Sequence, residues 1–120
     1  MSHEALMERM MQFALRILEV VDALPQDTRG WSIGKQLCRS GTSVAANHRA
    51  ANRARSPADF IHKMSIVEEE ADETLFWLEL IVRSGLLPEA RLRDLVAEAG
   101  ELLAITVSSI KTAKAKQDQR

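Results

Sequence analysis

An all-α fold, an antiparallel up-down-up-down four-helix bundle, is what the sequence predicts. Three observations lead there. Apolar residues recur at every third or fourth position through most of the chain, the period of a helix buried along one side. Only three prolines and five glycines punctuate 120 residues, whereas a sandwich or barrel needs a turn about every 8–12 residues. Those prolines, Pro25, Pro57 and Pro88, divide the chain into four pieces of helical length, and proline is tolerated at a first helical turn or just past a helix end. A chain of 120 residues is read as one domain, 1–120, which buries roughly two-thirds of its unfolded surface.

The first helix is predicted over about 2–24, with Leu6, Met10, Phe13, Ile17, Val20, Val21 and Leu24 on one stripe. The second, over about 28–54, has a weaker stripe of Ile33, Leu37, Gly41, Val44, His48 and Ala51. Gly34 and Gly41 each cost a helix about 1 kcal/mol relative to alanine. With Ser40, Ser43, Ala45 and Ala46 they make a small-residue surface that lets a neighbouring helix approach closely.

The third helix, 57–84, has the clearest start. Ser56 is placed to cap it, Pro57 suits the first helical position and Asp59 stands in the first turn. Phe60, Met64, Val67, Ala71, Leu75, Leu78 and Val82 form its stripe, and Ser84-Gly85 stops it. The fourth, 88–115, carries Leu92, Leu95, Val96, Ala99, Leu102, Leu103, Thr106 and Ile110. Its polar end, from Lys111 to Arg120, is expected to fray. Short connections between such helices make sequential neighbours antiparallel.

The formal net charge of −1 argues against a generally basic nucleic-acid binder, but it is a cancellation. Residues 28–56 hold Arg29, Lys35, Arg39, Arg49, Arg53 and Arg55 and no acid. Residues 57–84 hold Asp59, Glu68, Glu69, Glu70, Asp72, Glu73 and Glu79 against Lys63 and Arg83. Lys35, Arg39, Arg49 and Arg53 recur at helical spacing on one stripe of helix 2. Folding the chain about residues 55–56 sets Arg39 opposite Asp72 and Glu73, an ion-pair register like that of paired helices in a coiled coil. Arg49, Arg53 and Arg55 face the less acidic start of helix 3 and are freer to meet a phosphate backbone. Lys35, Arg39, Arg49, Arg53 and Arg55 are therefore the candidate nucleic-acid contacts. Asn47 shares a polar stripe with Gln36, Ser40 and Ser43. It is expected to make an interhelix hydrogen bond that fixes register.

Chemistry is harder to find. Di-iron bundles use inward glutamates and two Glu-x-x-His pairs, and Asp59 with His62 is the one approximate pair. His62 reads as a solvated residue and His48 as a packed one. No nucleophile elbow, P-loop or dinucleotide fingerprint occurs. The single cysteine, Cys38, excludes an internal disulfide and fits a reducing compartment. No apolar run approaches the ~18 residues of a membrane span, and the first residues, with Glu4, Glu8, Arg9, Arg16 and Glu19 among the apolar ones, do not read as the apolar region of a signal peptide. The chain is read as cytoplasmic, non-enzymatic and without metal or cofactor, with no membrane partner. A small enzyme or metal-binding bundle with an unrecognised site is the remaining alternative. Phe76, Trp77 and Leu80 stand off the main helix 3 stripe. That widened apolar face is what a subunit interface requires, and helix 1 or 4 of a neighbouring copy is the expected partner.

Three stretches carry a family resemblance. The first is Arg39-Ser40-Gly41-Thr42-Ser43-Val44-Ala45-Ala46-Asn47-His48-Arg49-Ala50, followed by Ala54-Arg55-Ser56. The second is Asp59-Phe60-Ile61 with Lys63-Met64-Ser65. The third runs from Glu70-Ala71-Asp72-Glu73-Thr74 to Leu75-Phe76-Trp77-Leu78-Glu79-Leu80. Together they resemble the bacterial four-helix-bundle proteins first noticed as reading frames in intervening sequences of large-subunit ribosomal RNA genes. The resemblance implies a four-helix protomer, a ring-shaped homopentamer and no assigned enzymatic activity. It also implies kinship with the accessory variability protein of diversity-generating retroelements, a basic pentameric barrel that binds nucleic acid. This chain is far less basic, so that role is not carried over. It departs from the family at His48, where an aliphatic residue or tyrosine is usual, at Ala50, usually glutamate, and at Glu69, usually lysine or neutral.

Overall fold

Caps and stripes together determine where the helices run. The computed structural model describes residues 1–119; Arg120, part of the expected polar end, lies outside the described residues. Helix α1 spans His3–Ala23, and the Ser2 hydroxyl caps it by accepting from the Ala5 N–H at 3.0 Å. Helix α2 spans Thr28–Ala51, with Asp27 as its cap, accepting from the Gly30 N–H at 2.8 Å. Helix α3 spans Pro57–Arg83. Ser56 caps it through the Asp59 N–H, and the Asp59 carboxylate reaches back to the Arg55 N–H at 3.1 Å, so two otherwise unpaired donors are satisfied reciprocally. Gly85 ends α3 with a φ of +76°, and the Leu86 N–H closes the turn on the Ile81 carbonyl at 3.1 Å. Helix α4 spans Glu89–Asp118.

Most of each predicted stripe is buried, but Leu6, Val21, Ile33, Phe60, Leu75, Val82, Val96 and Leu103 are only partly so, and on α3 Thr74 and Ile81 are buried beside the predicted stripe. Met10, Phe13, Ile17, Val20 and Leu24 of α1 join Leu37 and Val44 of α2, Met64, Val67, Ala71 and Leu78 of α3, and Leu92, Leu95, Ala99, Leu102 and Ile110 of α4 in one core. Helices adjacent in sequence pack side by side, α1 also meets α4 over a shorter stretch, and among the described residues the backbones of the diagonal pairs stay apart. The result is a four-helix rod measuring 53 × 22 × 22 Å.

Two boundaries differ from those expected. Helix α2 ends at Ala51 rather than near Ala54. Arg53 and Ala54 donate to carbonyls three residues back, the tighter turn common at helix ends. Helix α4 is helical past the expected end at residue 115 and continues to Asp118. Its last turns are exposed, yet rich in lysine, alanine and glutamine, which prolong an already nucleated helix at little cost.

The small-residue surface of α2 has the predicted use. A Cβ at Gly41 would stand 2.6 Å from Cγ2 of Ile17, so α1 seats directly on that glycine. Gly100, in α4, has no such neighbour: nothing lies within 4 Å of a Cβ placed there. Gly100→Ala is therefore expected to stabilise the fold by about 1 kcal/mol through helix propensity alone. Urea unfolding of the two proteins checks it.

Candidate functional site

The ion pairs come first, because they decide which basic residues are free. Arg39 pairs with Glu70 at 3.2 Å and with Glu73, not with the expected Asp72. Glu70 and Glu73 stand one turn apart and face α2 together, whereas Asp72 points into solvent. Glu73 also accepts from the Trp77 indole N–H at 3.1 Å. Lys35, Arg49, Arg53 and Arg55 have no ion pair among the described residues. They do not form one cluster. Lys35 lines a pocket beside the α1–α2 loop and Arg49 a separate groove between α1 and α2, while Arg53 and Arg55 lie past the end of α2, between α2 and α3.

Asn47 does not bond across helices. Its side-chain amide donates to the Ser43 carbonyl of its own helix at 2.9 Å. The buried polar contact between α2 and α3 is made instead by Ser40 and Thr74, whose hydroxyl oxygens are 3.0 Å apart. Thr74 also donates to the Glu70 carbonyl, at 2.7 Å. Both residues are fully buried, so the pair satisfies groups that would otherwise be costly to bury.

A second register device joins the ends of the chain. The Arg9 guanidinium forks onto both oxygens of Glu98, at 2.7 and 2.6 Å, and also reaches Glu101. This bridges the α1–α4 seam. Hydrogen bonding from Arg9 holds the Glu98 carboxyl below the usual carboxylate range. Sequence reasoning missed this pair; the one-turn spacing of Glu98 and Glu101 was the available signal.

The aromatic face is narrower than expected. Phe76 is 53% exposed, whereas Trp77 and Leu80 are half-buried. The Phe76 and Trp77 rings meet edge to face with centroids 4.9 Å apart. Trp77 is tethered through Glu73 to Arg39, so Phe76 projects from a fixed platform. A second apolar surface, unanticipated, lies on α1. Met11, Leu15 and Leu18 are 40–46% exposed. With Met7, Ala14, Thr42, Ala45, Ala46, His48 and Arg49 they line a groove of about 440 Å³ along α1 and α2. The core stripe of α1 concealed this one, because both repeat at helical spacing.

His48, 3% exposed, lies at the floor of that groove. Burial is the main cause that pushes its imidazole below the ordinary value of 6.5, and the nearby His3 adds to it. Asn52 contacts both ring nitrogens at 3.4 Å. A histidine depressed in the fold stays neutral there while the unfolded chain takes up a proton. Stability is thus highest above pH 6.5 and declines as pH falls through that value toward the lowered one. His48→Gln is expected to flatten the fall in melting temperature between about pH 7.5 and 5.5, where an ordinary histidine titrates. An unchanged profile would assign the decline to other groups.

Among the described residues no three histidine, cysteine or acidic side chains converge so as to hold a metal ion. His62 is exposed, and Asp59 is engaged by Lys63 at 3.0 Å and by the Arg55 N–H. Hydrogen bonds from Arg55 and Lys63 hold the Asp59 carboxyl below its usual value. Cys38 is half-buried beside Trp31, Lys35 and Gly34. Among the described residues no helix is long and apolar enough to cross a membrane.

Comparison with known proteins adds a family and a structural relative. The family model for the 23S rRNA-intervening sequence protein matches residues 4–108. A crystal structure at 1.70 Å of a protein of unknown function from the S23 ribosomal protein family, from Bacteroides thetaiotaomicron, is 35% identical to this chain. It superposes with a TM-score of 0.83, covering 88% of this chain and 97% of that one. No curated protein matches.

Proposed function

The chain belongs to the 23S rRNA-intervening sequence protein family, and from that membership we propose that it is a non-enzymatic scaffold or accessory factor of the cytoplasm, built as a ring-shaped homopentamer. The supporting observation is the exposure of large apolar side chains on two separate faces, Met11, Leu15 and Leu18 on α1 and Phe76 on α3. Isolated exposed leucines need no explanation, but a grouped set beside a groove marks an interaction surface. Different patches on one protomer meet head to tail, and such contacts close into rings when the rotation permits. Sedimentation at micromolar concentration tests this. An assembly of several chains is expected, and a monomer overturns it.

Nucleic-acid binding is the second reading, favoured by the unpaired state of Lys35, Arg49, Arg53 and Arg55. A ring would repeat these charges around its axis. Such binding is mainly electrostatic, so affinity for RNA or DNA should fall steeply between about 50 and 200 mM salt. Absence of binding at the lower salt overturns this reading.

A further inference from the structure

We propose that the outer stripe of α3 in one copy docks into the α1–α2 groove of the next, with Phe76 as the anchor. This rests on the self-association reading and specifies its surfaces. On α3, Glu69, Asp72, Phe76 and Glu79 are all exposed and recur at three and four residues, so a protruding aromatic ring stands within an acidic row. The groove offers the complement. Its apolar walls come from Met11, Leu15 and Leu18, and its α2 rim carries Ala46 and Arg49, with Arg53 beyond. Charge therefore pairs with charge and apolar surface with apolar surface.

The spacing agrees as well. Four residues separate Asp72 from Phe76 on α3, and three separate Ala46 from Arg49 on α2, about 6 and 4.5 Å along their helices. With Phe76 seated at Ala46 and the two helices antiparallel, Asp72 reaches the level of Arg49, and Glu69 lies toward the turn past the end of α2 that carries Arg53. The edge-to-face contact with Trp77, itself hydrogen-bonded to Glu73, fixes the anchor before docking. A preordered aromatic loses little conformational freedom on binding and suits the centre of an interface. Arg49 and Arg53 then face carboxylates of the neighbouring copy rather than phosphate.

A complementation experiment decides. Phe76→Asp removes the anchor and Leu15→Asp charges the groove; both side chains are on the surface, and circular dichroism verifies that each variant folds. Light scattering should give each variant alone the 13.4 kDa mass of one chain. Mixed in equal amounts, the two should form a complex of two chains and no larger, because each retains one working face. An unchanged assembly for Phe76→Asp, or no complex in the mixture, overturns this interface while leaving self-association intact. A monomeric unmodified protein overturns both.

Discussion

Phe13→Ala is expected to cost about 3–5 kcal/mol of stability, the range for deleting a buried aromatic ring. Phe13 is 1% exposed and sits in the core with Met10 and Ile17 of its own helix. Removing the ring loses its transfer free energy and leaves a cavity that close-packed neighbours only partly fill. Core side chains contributed by all four helices restrict that collapse. Native proteins are marginally stable, by about 5–15 kcal/mol, so a large share of the total is at stake. Denaturant unfolding at fixed protein concentration measures it. A loss below about 1 kcal/mol would contradict the position of Phe13 in the core, because exposed sites give changes of that small size.

Gly30→Ala is the second large effect, and its cause is backbone rather than cavity. A Cβ at Gly30 would lie 1.8 Å from the Pro25 carbonyl oxygen and 2.8 Å from its carbon. A flexible side chain could rotate away from such a clash; a carbonyl in a tight loop cannot. The α1–α2 loop must shift, at an expected cost of about 3 kcal/mol, the upper range for overpacking. That exceeds the gain of about 1 kcal/mol from alanine's helix propensity. The same substitution thus has opposite signs at Gly30 and Gly100, and comparing the two melting temperatures isolates the contact. Equal stability at Gly30 would place the loop away from α2.

The fold was legible because burial imposes a period. The stripes of α1 and α3 name most of their core residues, and Ser56-Pro57 with Asp59 marks a helix start whose geometry is local. Contacts across helices were less legible. Folding the chain at a loop sets Arg39 opposite Asp72 and Glu73; the ion pair with Glu73 is present and Glu70 takes the place of Asp72, since a loop fixes height along a helix and not angle around it. Asp72 is about 100° from Glu73 around the helix, enough to turn it outward. Asn47 and Ser40 share a polar stripe, yet only Ser40 meets α3, through Thr74. The Arg9–Glu98 bridge joins residues far apart in sequence, and nothing local to either names the other.

The candidate site was half legible. Phe76 was found because it departs from the α3 stripe. The α1 wall of Met11, Leu15 and Leu18 was not, because a helix apolar on two sides blurs into one broad pattern. The basic residues were named individually, but their distribution depends on which ones the acidic helix captures. Arg39 is captured; Lys35, Arg49 and Arg53 remain for another partner.

Native mass spectrometry of the unmodified protein tests head-to-tail self-association most directly, because it counts chains. A closed particle of five chains, each 13.4 kDa, is the expected result. A single chain at micromolar concentration would contradict it.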